Sequence, residues 1–142
     1  MPVVSGHGFG YQVVDGFTEA YQISLGAFVV CLELLSMYPE SGIPILHWLL
    51  ATKKQVDRAV ELGCYFSIGP AMINSVRAKK VVSWLPQNRV LLEADGPFAK
   101  TNGRPALPSD VVLVIRFLSE LWGETIEQVQ GRLAMTFKNL VL

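Results

Sequence analysis

Hydrophobic and polar positions change their spacing twice along the chain. Residues 1–16, MPVVSGHGFGYQVVDG, set two short β-branched pairs among glycines, and at most one short strand is expected there. Over residues 17–38 the spacing becomes helical. Ala27, Val30, Leu34 and Met37 recur every three or four residues, and Cys31, Leu35 and Tyr38 widen the stripe. A helix is predicted over that span, stopped by Pro39. From Ile43 onward, short apolar runs alternate with amphipathic stretches. Ile45–Trp48, Cys64–Ile68 and Arg89–Glu93 read as strands. Thr52-Lys53-Lys54-Gln55 is a capping box that opens a helix carrying Val56, Ala59 and Val60, and Gly63 suits the left-handed position after it. Asn74–Leu85 reads as the next helix, and Asp95–Pro108 as a loop. Val111, Val114, Ile115, Leu118 and Trp122 form a helical stripe closed by Gly123. Thr125-Ile126-Glu127-Gln128 is a second capping box and opens a last helix with Val129, Leu133 and Phe137.

This order predicts an α/β fold. The strands are apolar without clean alternation, as parallel strands covered on both faces are. Such folds carry their chemistry at the C-terminal ends of the strands. His47 ends the first of these strands. Asp95 follows the third, in Glu93-Ala94-Asp95-Gly96-Pro97-Phe98. Imidazole and carboxylate suit Zn²⁺, Mn²⁺ or Mg²⁺, and a carboxylate there can also orient or deprotonate a water. Each residue has an ordinary alternative. A His after a strand can be a structural residue, and Asp before Gly-Pro is a common turn starter. Glu93 reads as a supporting or salt-bridged group rather than a ligand.

Composition narrows the picture. The chain has 142 residues, 51% of them hydrophobic, enough for one folded domain and against intrinsic disorder. A complete (β/α)₈ barrel takes about 250 residues. The zero net charge is uneven. Residues 1–43 hold Asp15, Glu19, Glu33 and Glu40 and no base, while all 12 Lys and Arg lie beyond them. Cys31 and Cys64 show no metal or redox spacing, so free thiols in a reducing cytosol are expected. The most apolar stretch, residues 20–32, is too short for a membrane span of about 20 residues. No basic leader precedes it, so a cytoplasmic protein without a membrane segment is expected. Arg77, Lys79 and Lys80 form a basic cluster, either a solvated helix face or a contact for phosphate. Gly6, Gly8 and Gly10 do not have dinucleotide-binding spacing.

Four runs taken together carry a family resemblance: PILHW, ELGCYFSIGPAM, WLPQNRVLLEADGPF and a closing helix pair that ends in FKNLV. Their order and spacing over roughly residues 32–142 resemble the C-terminal half of TatD-family metal-dependent hydrolases. These are deoxyribonuclease-like members of the amidohydrolase-type barrels. The HWLL variant resembles a TatD-like subgroup found beside bacterial anti-phage genes. The resemblance implies a partial TIM barrel of about three to four parallel strands with outer helices, over residues 31–142. Residues 1–30 are then an atypical leader outside the homologous part. It implies hydrolysis of DNA or another phosphodiester by a metal-activated water, with Zn²⁺, Mn²⁺ or Mg²⁺ as cofactor. His47 matches the family's metal-binding His. Asp95 matches its metal-contacting Asp, which also handles the attacking water. Glu93 matches the first residue of Glu-Thr-Asp, while Gly63 and Ser67 match structural positions.

The departures bear on activity. Ala94 replaces Thr, Gly96 replaces Ser or Ala, Leu49-Leu50-Ala51 replaces Phe-Ser-Gly, and Thr136 stands near a frequent Asn. The family's His-x-His, its bridging Glu and the His of a His-Ser-Arg motif have no clear counterpart, and His7 reads as a loop residue. An impaired or inactive hydrolase is therefore expected from the chain alone. The alternatives are a half-enzyme completed by self-association or a partner chain at the exposed barrel edge, and a non-catalytic interaction module.

Overall fold

The computed structural model describes residues 3–7, 10–14, 18–22, 25–47, 51–94, 100–101 and 103–142, with side chains from residue 29 onward. The chain divides into two compact units, Met1–Phe66 and Ser67–Leu142.

The first unit opens with three strands, β1 (Val3–His7), β2 (Gly10–Val14) and β3 (Thr18–Gln22). β2 pairs antiparallel with β1, Val3 opposite Val14, and with β3, Gly10 opposite Gln22. This corrects the expectation of little structure over residues 1–16. Backbone pairing holds these strands, and it leaves no mark in a Gly-rich side-chain pattern. β1 also pairs in parallel with β4 (Ile43–His47), with Val3 opposite Ile43 and Gly6 opposite Leu46. The helix predicted over 17–38 is shorter: α1 is Leu25–Met37. Residues 18–22 are spent on β3, where pairing along β2 overrides local helical preference. α2 (Lys53–Glu61) starts at the predicted capping box. The Thr52 hydroxyl accepts from the Gln55 amide at 3.3 Å, and the Gln55 side chain accepts from the Thr52 amide at 2.9 Å. Gly63 adopts φ 79°, the left-handed conformation that a side chain would strain. Leu32, Leu46, Val56, Ala59, Cys64 and Phe66 are buried in this unit. β4 has β5 (Tyr65–Ile68) beside it, the strand in which the division between units falls.

In the second unit β6 (Val90–Leu92) lies beside β5. The Glu93 amide donates to the Ile68 carbonyl at 3.0 Å, so the two strands end level. α3 (Val76–Ser83) is capped by the Ser75 hydroxyl, which accepts from the Ala78 amide. The stretch expected as a plain loop contains a short hairpin, β7 (Lys100–Thr101) paired antiparallel with β8 (Arg104–Pro105). Asn102-Gly103 is the sequence signal for it. Gly103 has φ 78°. α4 (Val111–Trp122) ends at Gly123 with φ 65°, and α5 (Ile126–Val141) starts at the second capping box, both as predicted. Ile68, Val81, Val82, Val90, Val114, Leu118 and Val129 are buried in this unit. Among the described residues no helix is long and apolar enough to cross a membrane.

Arg104 ties the hairpin to the start of α4. Its guanidinium donates to both carboxylate oxygens of the buried Asp110, at 2.9 and 2.7 Å, and the Leu107 amide donates to the same group at 2.7 Å. The Arg104 hydrogen bond, then the amide, hold the Asp110 carboxyl below its ordinary range. A depressed carboxyl contributes stability above its unfolded pKa and loses it as pH falls through the folded value. The urea midpoint is therefore expected to drop between about pH 5 and pH 2, and Asp110→Asn to flatten that drop. The same pH profile in wild type and variant would show that this carboxyl does not contribute.

Candidate active site

β4 delivers His47 to a strand end. Pro44 and Leu46 are buried, while Ile43, Ile45 and His47 are half-buried, the alternation of a pleated strand. The parallel register between β1 and β4 has an offset of 40 and runs from Val3 with Ile43 to Gly6 with Leu46, and His7 and His47 are the next residue of each strand. Both histidines occupy the last residue of their strands. The reading of His7 as a loop residue is thereby corrected. What decides its place is strand pairing, and the glycines around it mask that in the sequence.

β6 delivers Glu93. Ser67, only 3% exposed, donates its hydroxyl to Glu93 Oε2 at 2.8 Å. Gly69 packs on the same residue. A Cβ placed there would lie 3.3 Å from Glu93 Cγ and 3.4 Å from its carbonyl oxygen, so the missing side chain is what lets the two backbones approach. One carboxylate oxygen of Glu93 is thus fixed by a buried hydroxyl, which restricts the direction the group can face. Ser67 was expected only as a structural residue. Its link to Glu93 follows from the level ends of β5 and β6, and the residue types alone do not reveal it. Asp95, two residues farther on, lies outside the described residues, as does Trp48 at the end of the predicted first strand.

Among the described residues no group of three His, Cys, Asp or Glu converges that could hold a metal ion. Neither cysteine supplies a reactive nucleophile. Cys31 and Cys64 are not joined in a disulfide, Cys64 is buried, and burial pushes the Cys31 thiol up. A raised thiol carries little thiolate at neutral pH.

Comparison with known proteins bears on the family and the fold. The family model described as TatD related DNase matches residues 24–141. The mouse deoxyribonuclease-like protein TATDN3 is 28% identical over 102 residues, which cover 68% of this chain and 34% of that protein. The crystal structure of YJJV, a TatD homologue from Escherichia coli K12, matches with a TM-score of 0.66 at 23% identity, over 80% of this chain and 46% of that one. The chain thus spans about a third of the curated relative and under half of the solved one. The structural likeness bears on the fold, and it supports the expected α/β class with a partial barrel.

Proposed function

The chain belongs to the TatD-related DNase family, and on that premise we propose that it is a metal-dependent hydrolase of DNA phosphodiesters, impaired when these 142 residues act alone. The observation that carries the proposal is that His7 and His47 are the last residues of neighbouring parallel strands. The family match begins at residue 24, so His7 enters by its place in the sheet and not by that match. Asp95 enters by the Glu-x-Asp-x-Pro pattern after β6. Imidazole nitrogen and carboxylate oxygen each suit Zn²⁺, Mn²⁺ or Mg²⁺. A divalent ion, when bound, would polarise the phosphoryl oxygen and lower the pKa of a water. In this reading the resemblance makes His47 and Asp95 the residues that would hold the ion, Asp95 would also accept the proton of the attacking water, and His7 is a further candidate ligand. Ser67 fixes Glu93, which steadies the backbone leading to Asp95. The impairment rests on the resemblance, since the family's His-x-His, bridging Glu and His-Ser-Arg histidine have no clear counterpart in the chain.

A second reading is a half-enzyme or interaction module that a partner chain completes. It is favoured by α1, where Val29, Val30, Leu34 and Met37 are all exposed. A helix that is apolar all round is ordinarily covered.

Calorimetric titration of the full chain with Zn²⁺ and Mn²⁺ tests the metal assignment. His7→Ala and His47→Ala are each expected to weaken binding by about tenfold or more. Equal affinity in the wild type and both variants would remove the assignment. Cleavage of labelled oligonucleotides that needs added metal and stops with EDTA supports hydrolysis. Silence with Zn²⁺, Mn²⁺ and Mg²⁺ leaves the second reading.

A further inference from the structure

We infer that the outer face of α3, through Arg77 and Lys80, is a docking surface for the phosphodiester backbone of a nucleic acid. The inference rests on the hydrolytic reading only for the identity of the polyanion. It adds a place where that polyanion is held.

The charge pattern is one-sided. Residues 62–92 contain no acid and four bases, Arg77, Lys79, Lys80 and Arg89. Three of these fall on α3 and are exposed. Ala78, Val81 and Val82 form the buried face of the helix. Arg77 and Lys80, three residues apart, are neighbours on the exposed surface of the helix, and Lys80 also neighbours Val76, four residues before it and 87% exposed. Lys79 has a role within the fold: its ammonium lies 5.7 Å from the centre of the Phe117 ring and links α3 to α4. The ion pairs of the described residues join Lys53 to Asp57, Arg58 to Glu61, Arg104 to Asp110 and Arg132 to Glu124. Arg77 and Lys80 take part in none of them. Arg77 also stands in the first helical turn, where a cation opposes the helix dipole, so local stability does not explain it.

The placement of the helix is firm. Gly69 packs on Glu93. From there the chain runs through successive tight turns, with the Met72 amide on the Gly69 carbonyl, the Ser75 amide on the Met72 carbonyl and the Lys79 amide on the Ser75 carbonyl. Pro70 and Met72 are buried along the way. α3 is therefore joined without slack to the strand end that carries Glu93. Loops that follow parallel strands form the functional face of barrel-type folds.

The occupant is chosen by charge complementarity. A duplex carries one negative charge about every 1.7 Å of its axis, and each phosphate that Lys or Arg neutralises releases counterions. An anionic membrane fits less well. Membrane-surface helices insert a broad apolar face, whereas the apolar side of α3 is buried within its own unit.

The test is equilibrium binding of the full chain to labelled single-stranded and duplex oligonucleotides by fluorescence anisotropy, in EDTA, across a salt series. Arg77→Gln with Lys80→Gln is expected to weaken binding by about tenfold or more at 0.1 M salt, and to lower the log–log salt slope by about 1.4 to 1.8. Lys54→Gln with Lys138→Gln makes the same change in net charge elsewhere and is expected to leave the slope unchanged. Arg77→Lys with Lys80→Arg keeps both charges and is expected to bind as the wild type does, which separates charge from folding. Equal losses in the two Gln doubles, no loss in the first, or no oligonucleotide binding at all overturns the inference. Capture by phosphatidylserine vesicles without oligonucleotide binding also overturns it. A chain that binds through α3 yet hydrolyses nothing supports the inference and overturns the hydrolytic reading. A chain that hydrolyses DNA but binds equally well after the α3 substitutions does the reverse.

Discussion

Asp95→Asn is expected to lower metal-dependent cleavage of DNA by about 10² to 10⁴-fold, the usual contribution of a positioned acid or base. Asparagine has nearly the same shape as aspartate, so it fills the same space while losing the ability to take a proton. As a metal ligand it is also weaker, because a neutral amide oxygen replaces a charged one. The rate should therefore collapse while the far-UV circular dichroism and the urea midpoint stay near the wild-type values. Glu93→Gln provides the contrast. Glutamine still offers an oxygen to the Ser67 hydroxyl, the partner of Glu93 at 2.8 Å, so the local structure is retained and the loss should be far smaller. If Asp95→Asn cleaves as fast as the wild type, Asp95 is not the group that handles the water. If Glu93→Gln falls as far as Asp95→Asn, Glu93 is more than a support for the backbone leading to Asp95.

The features that could be read from the sequence were those encoded locally. Thr52 with Gln55, and Thr125 with Gln128, each satisfy helix amides within four residues, so both helix starts follow from the residue types. Gly63 and Gly123 mark helix ends because few other residues adopt their φ of 79° and 65° at low cost. β4, β5 and β6 appear as apolar runs, although their ends fall one or two residues from the predicted limits. Where partners are distant in sequence, the pattern gives out. β1 is held by Ile43 to Leu46, some 40 residues away. β3 reads Thr18-Glu19-Ala20-Tyr21-Gln22, and its alternation was absorbed into the helical stripe that continues through α1. The candidate site divides in the same way. His47, Glu93 and Asp95 stand out by type at strand ends. His7 and the Ser67 contact to Glu93 emerge only from registers between strands. The β7–β8 hairpin is a different case: its Asn-Gly signal was present in a stretch rich in Pro and Gly, which reads first as loop.

Phe66→Ala is expected to cost about 3 to 5 kcal/mol of folding stability. A domain of ordinary stability has about 5 to 15 kcal/mol in all, so this one substitution removes a large share of it. Phe66 is 1% exposed in β5, with Cys64 and Ile68 wholly buried at the alternate positions of the same run. Truncating the ring removes its transfer from water and leaves a cavity that a close-packed interior fills only in part. Alanine is also a poorer strand former than phenylalanine. Val76→Ala isolates the effect of burial. Val76 is an apolar residue 87% exposed on α3, and its truncation should stay within about 0.5 kcal/mol. Urea unfolding decides between them: the Phe66→Ala midpoint should fall well below the wild type with the slope unchanged, and the Val76→Ala midpoint should not move. Similar midpoints for the two variants would mean that Phe66 is not in a packed core. The functional consequence also differs from that of Asp95→Asn. Phe66→Ala should lose metal binding and oligonucleotide cleavage together, over the same urea range in which it unfolds, because it removes the strand framework rather than one reacting group.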